Sequence, residues 1–427
     1  MCPLGNSWTE RTPDLGPWNQ TPTPFDPMAE PYTLTAAPAR QGSVDVFRAL
    51  TMFFMVFVND LWTLDAVPKG LGHTLAQEDG MGFSDIIFPL FLFIVGLSIP
   101  LALRARKRKG DSPMKMGRHI VFRSFALLVM GFYYVNYGSI TPGTMIMDRA
   151  LWLILVTLGF FLVWMRYGRI PWMQVPMAHS LQFAGILLLL FLAATYRGGT
   201  LGGGVHWMRP WWWGILGLIG WAYLFNGLAY LILKGNRALL LGVFALLMFM
   251  NVQENGFFEN LPAFKLVVSA SNHVLVMAGM LCSSFFLDYG RTPKRNLLVI
   301  TLLLLGVGLI AYGLWLRPHF IISKIMATPS WTAICMGSGV LIFLLLHGIV
   351  DRLGLQAWAK PIRAAGTSTL TCYLIPFFIY PLMELSAFHW PDFLAHGAIG
   401  LGRCLLFSYL VVALVALLEK RGIGIGV

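Results

Sequence analysis

The sequence predicts an all-α fold: a polytopic transmembrane helical bundle of about 11–12 spans with both termini cytoplasmic. Three observations carry this expectation. Of 427 residues, 57% are hydrophobic and only 12% are charged, with a mean hydropathy of +0.69. A soluble domain cannot bury that much apolar surface. Apolar runs recur along the whole chain, close to the roughly 20 residues a helix needs to cross a bilayer. Basic residues collect in alternate connections between those runs, as membrane topology requires. The spans are expected to be helical because backbone groups in lipid need partners within the protein.

The elements follow in order. Residues 1–39 hold eight prolines and no apolar run. They are read as a disordered N-terminal extension without a signal-peptide h-region, with Met28 as an alternative start. Residues 40–427 form a single transmembrane domain. Twelve candidate spans fall at about 46–65, 83–103, 118–136, 148–165, 178–196, 211–233, 238–252, 264–288, 296–316, 330–350, 365–385 and 397–418. The seventh is the shortest. With the N-terminus inside, the cytoplasmic connections and the C-terminus hold 19 basic residues. The other side holds seven: Lys69, Arg197, Arg209, Lys265, Arg317, Lys324 and Arg403. Only the fifth-to-sixth and ninth-to-tenth connections break the alternation, with two outward basic residues each. A net charge of +12 therefore reflects topology, and nucleic acid is excluded as a partner. The cysteines, Cys2, Cys282, Cys335, Cys372 and Cys404, have neither metal-ligand nor disulfide spacing.

Several polar groups are costly in a membrane. Asp45 and Asn59 are 14 residues apart in the first span. That places them within about 40° of one helix face and roughly 21 Å apart along the axis. They form either an interfacial cap and anchor or a stripe facing an internal cavity. Arg123 lies inside the third span, and Asp148 and Arg149 open the fourth. One internal ion pair or a phosphate or carboxylate site are the two readings. The run "RARKRKG", Arg104 to Gly110, anchors topology and attracts anionic lipid, or meets the phosphates of a cytoplasmic ligand. Ser84 or Asp85 offers an ordinary N-cap to the second span, and Pro89 allows a kink. His73 is one of nine histidines, and spacing does not single it out. Neither HExxH nor G-x-S-x-G occurs, so no metal is expected.

The pieces match a pattern. Arg40, Ser43, Asp45 and Arg48 form "R-x-x-S-x-D-x-x-R". "MVFVN" ending at Asn59, His73, and "SDIIFPLFLFIVGLSI" from Ser84 to Ile99 follow. Segment 40–103 thereby resembles the start of the heparan-α-glucosaminide N-acetyltransferase family and its bacterial DUF5009-type relatives, within a broader set of transmembrane acyltransferases. Weaker matches include "WWWGILGLIGWAYL", "SNHVLVMAGMLCS", "SKIMATPSW", "GTSTLTCYLIP" and "LEKRGIGIGV". In one place the segment departs from the pattern: twelve residues separate His73 from Asp85, and "TLAQEDGMGF" contains no Trp.

The resemblance implies acetyl-CoA as donor and an amino-sugar or oligosaccharide amine as acceptor on the non-cytoplasmic side. It places the family histidine on His73, the asparagine on Asn59 and the carboxylates on Asp45 and Asp85. Arg48, Arg123 and Arg149 are the candidate groups for the anionic donor. It also implies an integral protein of the bacterial inner membrane, with the His73 loop periplasmic. Lipid is a partner, and homodimerisation stays open. A neutral imidazole can attack a thioester or take the proton of the incoming amine. A carboxylate would fix its tautomer, and Asn59 could donate to the oxyanion. His73 is therefore expected over the outer ends of the first two helices, near Asn59 and Asp85. Two rivals remain: a secondary transporter of amino sugars or their oligomers, and a family member that only binds its ligand. The first is disfavoured by the absence of matching half-repeats.

Overall fold

The computed structural model describes residues 42–427, except 142, 200–203, 258–265, 291 and 427. The expected extension over 1–39, Arg40, Lys265 and Arg291 lie outside the described residues. Among the described residues the regular structure is helical, apart from a hairpin of two-residue strands pairing Gly198–Gly199 with Val205–His206 and two isolated bridges. The long helices are α1 (Gly42–Asp60), α2 (Phe83–Arg108), α3 (Pro113–Tyr137), α4 (Arg149–Trp164), α5 (Val175–Ala194), α6 (Gly214–Ile232), α7 (Arg237–Glu254), α8 (Ala270–Tyr289), α9 (Arg295–Leu316) and α10 (Pro329–Leu346). The eleventh expected span is a broken series: α11 (Arg363–Thr367), α12 (Thr369–Leu374) and α13 (Pro376–Leu385), bent by 75°. A short α14 (Asp392–Ala395) precedes α15 (Gly397–Lys420). Among the described residues, nine helices are long and apolar enough to cross a membrane, and the bent series would make ten. The 19-residue α1 and the 16-residue α4 occupy the remaining expected positions.

Hydrogen bonds and ion pairs define the two ends of the bundle. At one end Asp65 bonds Ala395, Gly80 bonds Ile322, and Arg149 pairs with Glu384. Asn251 near the close of α7 donates to the Ala327 carbonyl there. At the other end Asp288 receives Arg104 and Arg237, and Ser43 bonds Asp351. The seventh helix, α7, thus runs from one end to the other like its neighbours.

Chain order does not reveal which helices are central. The most apolar windows of α8 and α2 are 89% and 67% buried, whereas those of α5 and α9 are 17% buried. The central pair meets through glycines. A Cβ added at Gly96 would lie 1.9 Å from the Val276 carbonyl oxygen, and one at Gly279 would lie 1.9 Å from that of Phe93. Without a hydrophobic drive between helices in lipid, such close backbone approach is what lets them associate. The contact fixes α8 beside α2 with both starting at the end that carries residues 61–82.

Candidate functional site

The connection between α1 and α2 is a folded structure. After a short 3₁₀ turn (Leu61–Thr63) the chain loops back on itself. Phe83 N–H donates to the Gly70 carbonyl, and the Ser84 N–H and hydroxyl both donate to the Leu71 carbonyl. The backbones approach so closely that a Cβ at Gly82 would sit 2.0 Å from the Gly72 oxygen. Gly82, not Ser84 or Asp85, is the N-cap of α2. Asp85 stands at the third helical position and reaches back to the Gly82 N–H at 2.9 Å. A carboxylate there also meets the positive end of the helix dipole. The helix then continues through Pro89 and Pro100.

That capping role orients a second partner. His73 Nδ1 lies 2.7 Å from Asp85 Oδ1. The other oxygen, Oδ2, accepts from the Thr74 N–H and hydroxyl, each at 3.1 Å, and from Gly82. The Asp85 side chain is fully buried, while that of His73 is half exposed. A carboxylate so surrounded by donors is an acceptor only. The proton of a neutral imidazole is therefore assigned to Nδ1, which leaves the lone pair on Nε2.

A third charged group completes the cluster. Lys324 Nζ lies 3.2 Å from His73 Nδ1 and 3.9 Å from Asp85 Oδ1. Because Nδ1 donates to Asp85, the ammonium acts as a counter-charge to that carboxylate and not as a donor to the ring. Burial pushes the Lys324 ammonium below its ordinary value, and the Asp85 carboxylate opposes the shift. Lys324 is carried by the α9–α10 connection, which is laced to the His73 loop. Asp79 pairs with Arg317 at 2.8 Å and accepts from the Ile322 N–H at 2.9 Å, and Ser323 donates to the Ala76 carbonyl at 2.8 Å. At the start of α10, Trp331 Nε1 donates to the Asp85 carbonyl at 3.3 Å.

The other predicted residues are dispersed. The Asn59 side chain is exposed near the end of α1 and hydrogen-bonds neither His73 nor any other described residue. Asp45 pairs with Arg48 at 3.3 Å one turn into α1, at the far end of the bundle. Arg48 also donates to Ser98 at 2.8 Å, tying α1 to α2. The Arg123 guanidinium lies 4.9 Å over the Tyr223 ring. Asp148 caps α4 through the Ala150 N–H. Arg149 does not pair with Asp148 or Arg123; its ion pair is with Glu384 at 2.7 Å, at the His73 end. The three arginines thus contact different groups and form no common anion site among the described residues.

Two sets of groups went unmarked in the sequence reading. One is Lys324, whose signal was an outward lysine in a connection that breaks the charge alternation. The other is a buried cluster beside Asn59, in which Asp60 faces Arg403 and Tyr380. Asp60 reads in sequence as one more polar residue of the loop.

Comparison with known proteins gives a partial likeness. The chain is 35% identical over 125 residues to heparan-alpha-glucosaminide N-acetyltransferase of Homo sapiens, covering 29% of this chain and 18% of that protein. It is 34% identical over 119 residues to the protein of the same name from Mus musculus, covering 27% and 17%. The match therefore spans less than a fifth of the length of these curated relatives. No family model matches the chain.

Proposed function

We propose that this integral membrane protein is an acetyltransferase that moves an acetyl group from acetyl-CoA to the amine of a glucosamine-type sugar, with His73 as the catalytic base or acyl carrier. The observation that carries the reading is the imidazole held by a buried carboxylate with its second nitrogen free. The partial likeness to named N-acetyltransferases supplies the reaction class.

Two routes use the same atom. In a relay, the Nε2 lone pair attacks the thioester carbonyl carbon and the C–S bond breaks, so the CoA thiolate leaves. The amine then attacks the acetyl carbon, its N–C bond forms, the Nε2–C bond breaks, and the amine loses a proton to solvent. In a ternary complex, Nε2 takes that proton as the amine attacks the thioester directly; the C–S bond breaks, and the departing CoA thiolate takes the proton back from Nε2. In both, Asp85 stabilises the imidazolium or acyl-imidazolium, and Lys324 balances Asp85. Asn59, exposed at the same end of the bundle, would donate to the carbonyl oxygen as it gains charge.

The test is transfer in proteoliposomes, with labelled acetyl-CoA on the side of the termini and glucosamine or glucosamine-containing oligosaccharides on the other. Labelled N-acetyl sugar with the native chain, and none with His73→Ala, is the expected result. Sugar flux without acetylation, or transfer that survives His73→Ala, would sink the reading.

A further inference from the structure

Arg403, in the second turn of α15, has a side chain only 5% exposed. Its Nη2 donates to the Thr63 hydroxyl and approaches Cys404 Sγ at 3.1 Å. Its Nε and Nη1 have no hydrogen-bond partner among the described residues, which leaves three of its five N–H groups unpaired. The facing carboxylate is in the same condition. Asp60 Oδ1 accepts from the Tyr380 hydroxyl at 2.9 Å. Oδ2 stands 3.7 Å from Arg403 Nη2, inside ion-pair range but too far to hydrogen-bond, and has no hydrogen-bond partner among the described residues. An arginine–carboxylate pair kept for stability alone would close into the bidentate geometry. This one is held apart, with spare donors on one partner and a spare acceptor on the other.

Aromatic rings surround it. The Trp390 ring lies 4.7 Å from the guanidinium carbon. Trp62, 69% exposed, packs edge-on against Tyr380 at 5.5 Å. Asp60 directly follows Asn59 in sequence, and the cluster sits at the His73 end of the bundle.

We infer that Asp60, Arg403, Tyr380 and Trp390 form a subsite for the vicinal hydroxyls of a neutral pyranose, which deepens, and rests on, the reading of this end as the acceptor side. The charges select the ligand class. A carboxylate or sulfate would gain from Arg403 but be repelled by Asp60. An ammonium would meet the opposite conflict. A diol satisfies both, because one hydroxyl donates to Asp60 Oδ2 while its neighbour accepts from Arg403 Nε or Nη1. The apolar face of the ring then lies against an indole. Trp390, half-buried on the connection before α15, covers the guanidinium, so entry requires it to move aside.

The experiment measures binding apart from transfer. Isothermal titration calorimetry on the detergent-solubilised His73→Ala chain uses methyl glucoside, methyl glucosaminide, methyl glucuronide and a simple alkylamine. The two pyranosides without a carboxylate are expected to bind alike, and the glucuronide and alkylamine more weakly. Arg403→Lys, which keeps the charge but loses the fork, should weaken sugar binding by about tenfold or more, the equivalent of one lost buried hydrogen bond. Trp390→Phe, which leaves the ion pair untouched, should weaken it less, and unfolding temperatures establish that both variants fold. Absence of methyl glucoside binding at millimolar concentration, unchanged affinity in folded Arg403→Lys, or a preference for the glucuronide each overturns the subsite. Sugar binding without any acetyl transfer supports the subsite while removing the proposed reaction. Transfer whose acceptor KM is indifferent to Arg403→Lys removes the subsite and leaves the reaction standing.

Discussion

Asp85 caps a helix and holds an imidazole, and an asparagine in its place shows what each role requires. The oxygen of that amide would have to face the N–H groups of Thr74 and Gly82, which now bond Oδ2. That turns the amide NH₂ toward His73 Nδ1, which must then accept, and the imidazole proton moves to Nε2. Asp85→Asn should therefore leave the loop folded, at a cost of about 1–2 kcal/mol. It should lower transfer by about 10²–10⁴-fold, because the reactive nitrogen loses its lone pair. Turnover in proteoliposomes and ¹⁵N shifts of the imidazole check both halves; an unchanged rate would remove Asp85 from the site. His73 was legible only through the motif around it, since nine histidines share the chain. Lys324 was not legible as its neighbour, because 251 positions separate the two and one sequence carries no record of that contact. What it did carry was a lysine on the wrong side of the charge alternation, and both Lys324 and Arg317 of that connection bond acidic or imidazole groups of the His73 region.

Elements pin one another here by backbone approach and by loop-to-loop bonds. Gly96 and Gly279 each face a carbonyl oxygen of the partner helix, so Gly96→Ala or Gly279→Ala drives α2 and α8 apart. Overpacking of this kind costs at least about 2 kcal/mol, and a lowered unfolding temperature in detergent is the expected readout. The loop carrying His73 has a weaker clasp. The Ile322 N–H and the Arg317 guanidinium hold the Asp79 carboxyl below the ordinary carboxylate range. A depressed carboxylate contributes stability that is present above its unfolded value, about 4, and is lost as pH falls through its folded value. Protection of the amides of residues 64–82, taken relative to the intrinsic exchange rate at each pH, should therefore fall on acidification below about pH 4, and Asp79→Asn should abolish that step while lowering protection at neutral pH. Hydropathy located every long helix, but neither the short α14 nor the break in the eleventh span. Ser368, between α11 and α12, leaves helical geometry at ψ 47°. Averaged over the span the stretch is still apolar enough to cross, so hydropathy hides the break, although Gly366 and the Thr367–Thr369 run of small polar residues mark the place in the sequence.

At the scale of the whole molecule, helix order and end contacts place the His73 loop opposite the N-terminus of α1 and the end of α15. Which end faces the cytoplasm is a matter of charge. The run Arg104–Lys109 lies at the end away from His73, and a cluster of that density is held on the cytoplasmic face during insertion. If so, a CoA donor, too charged to cross lipid, approaches from the side of the termini and its acetyl group must traverse the bundle to reach His73. Sidedness is therefore the premise of the chemistry, and single cysteines decide it. Cys282, Cys335, Cys372 and Cys404 are buried, so replacing Cys2 with serine leaves a quiet background. Glu78→Cys reports the His73 loop and Lys109→Cys the basic run, and both positions are exposed. In right-side-out spheroplasts an impermeant maleimide should label the thiol of Glu78→Cys at once and that of Lys109→Cys only after lysis. The reverse pattern would put His73 in the cytoplasm beside its donor. No acetyl group would then need to cross the bundle, and the acceptor would have to be a cytoplasmic sugar.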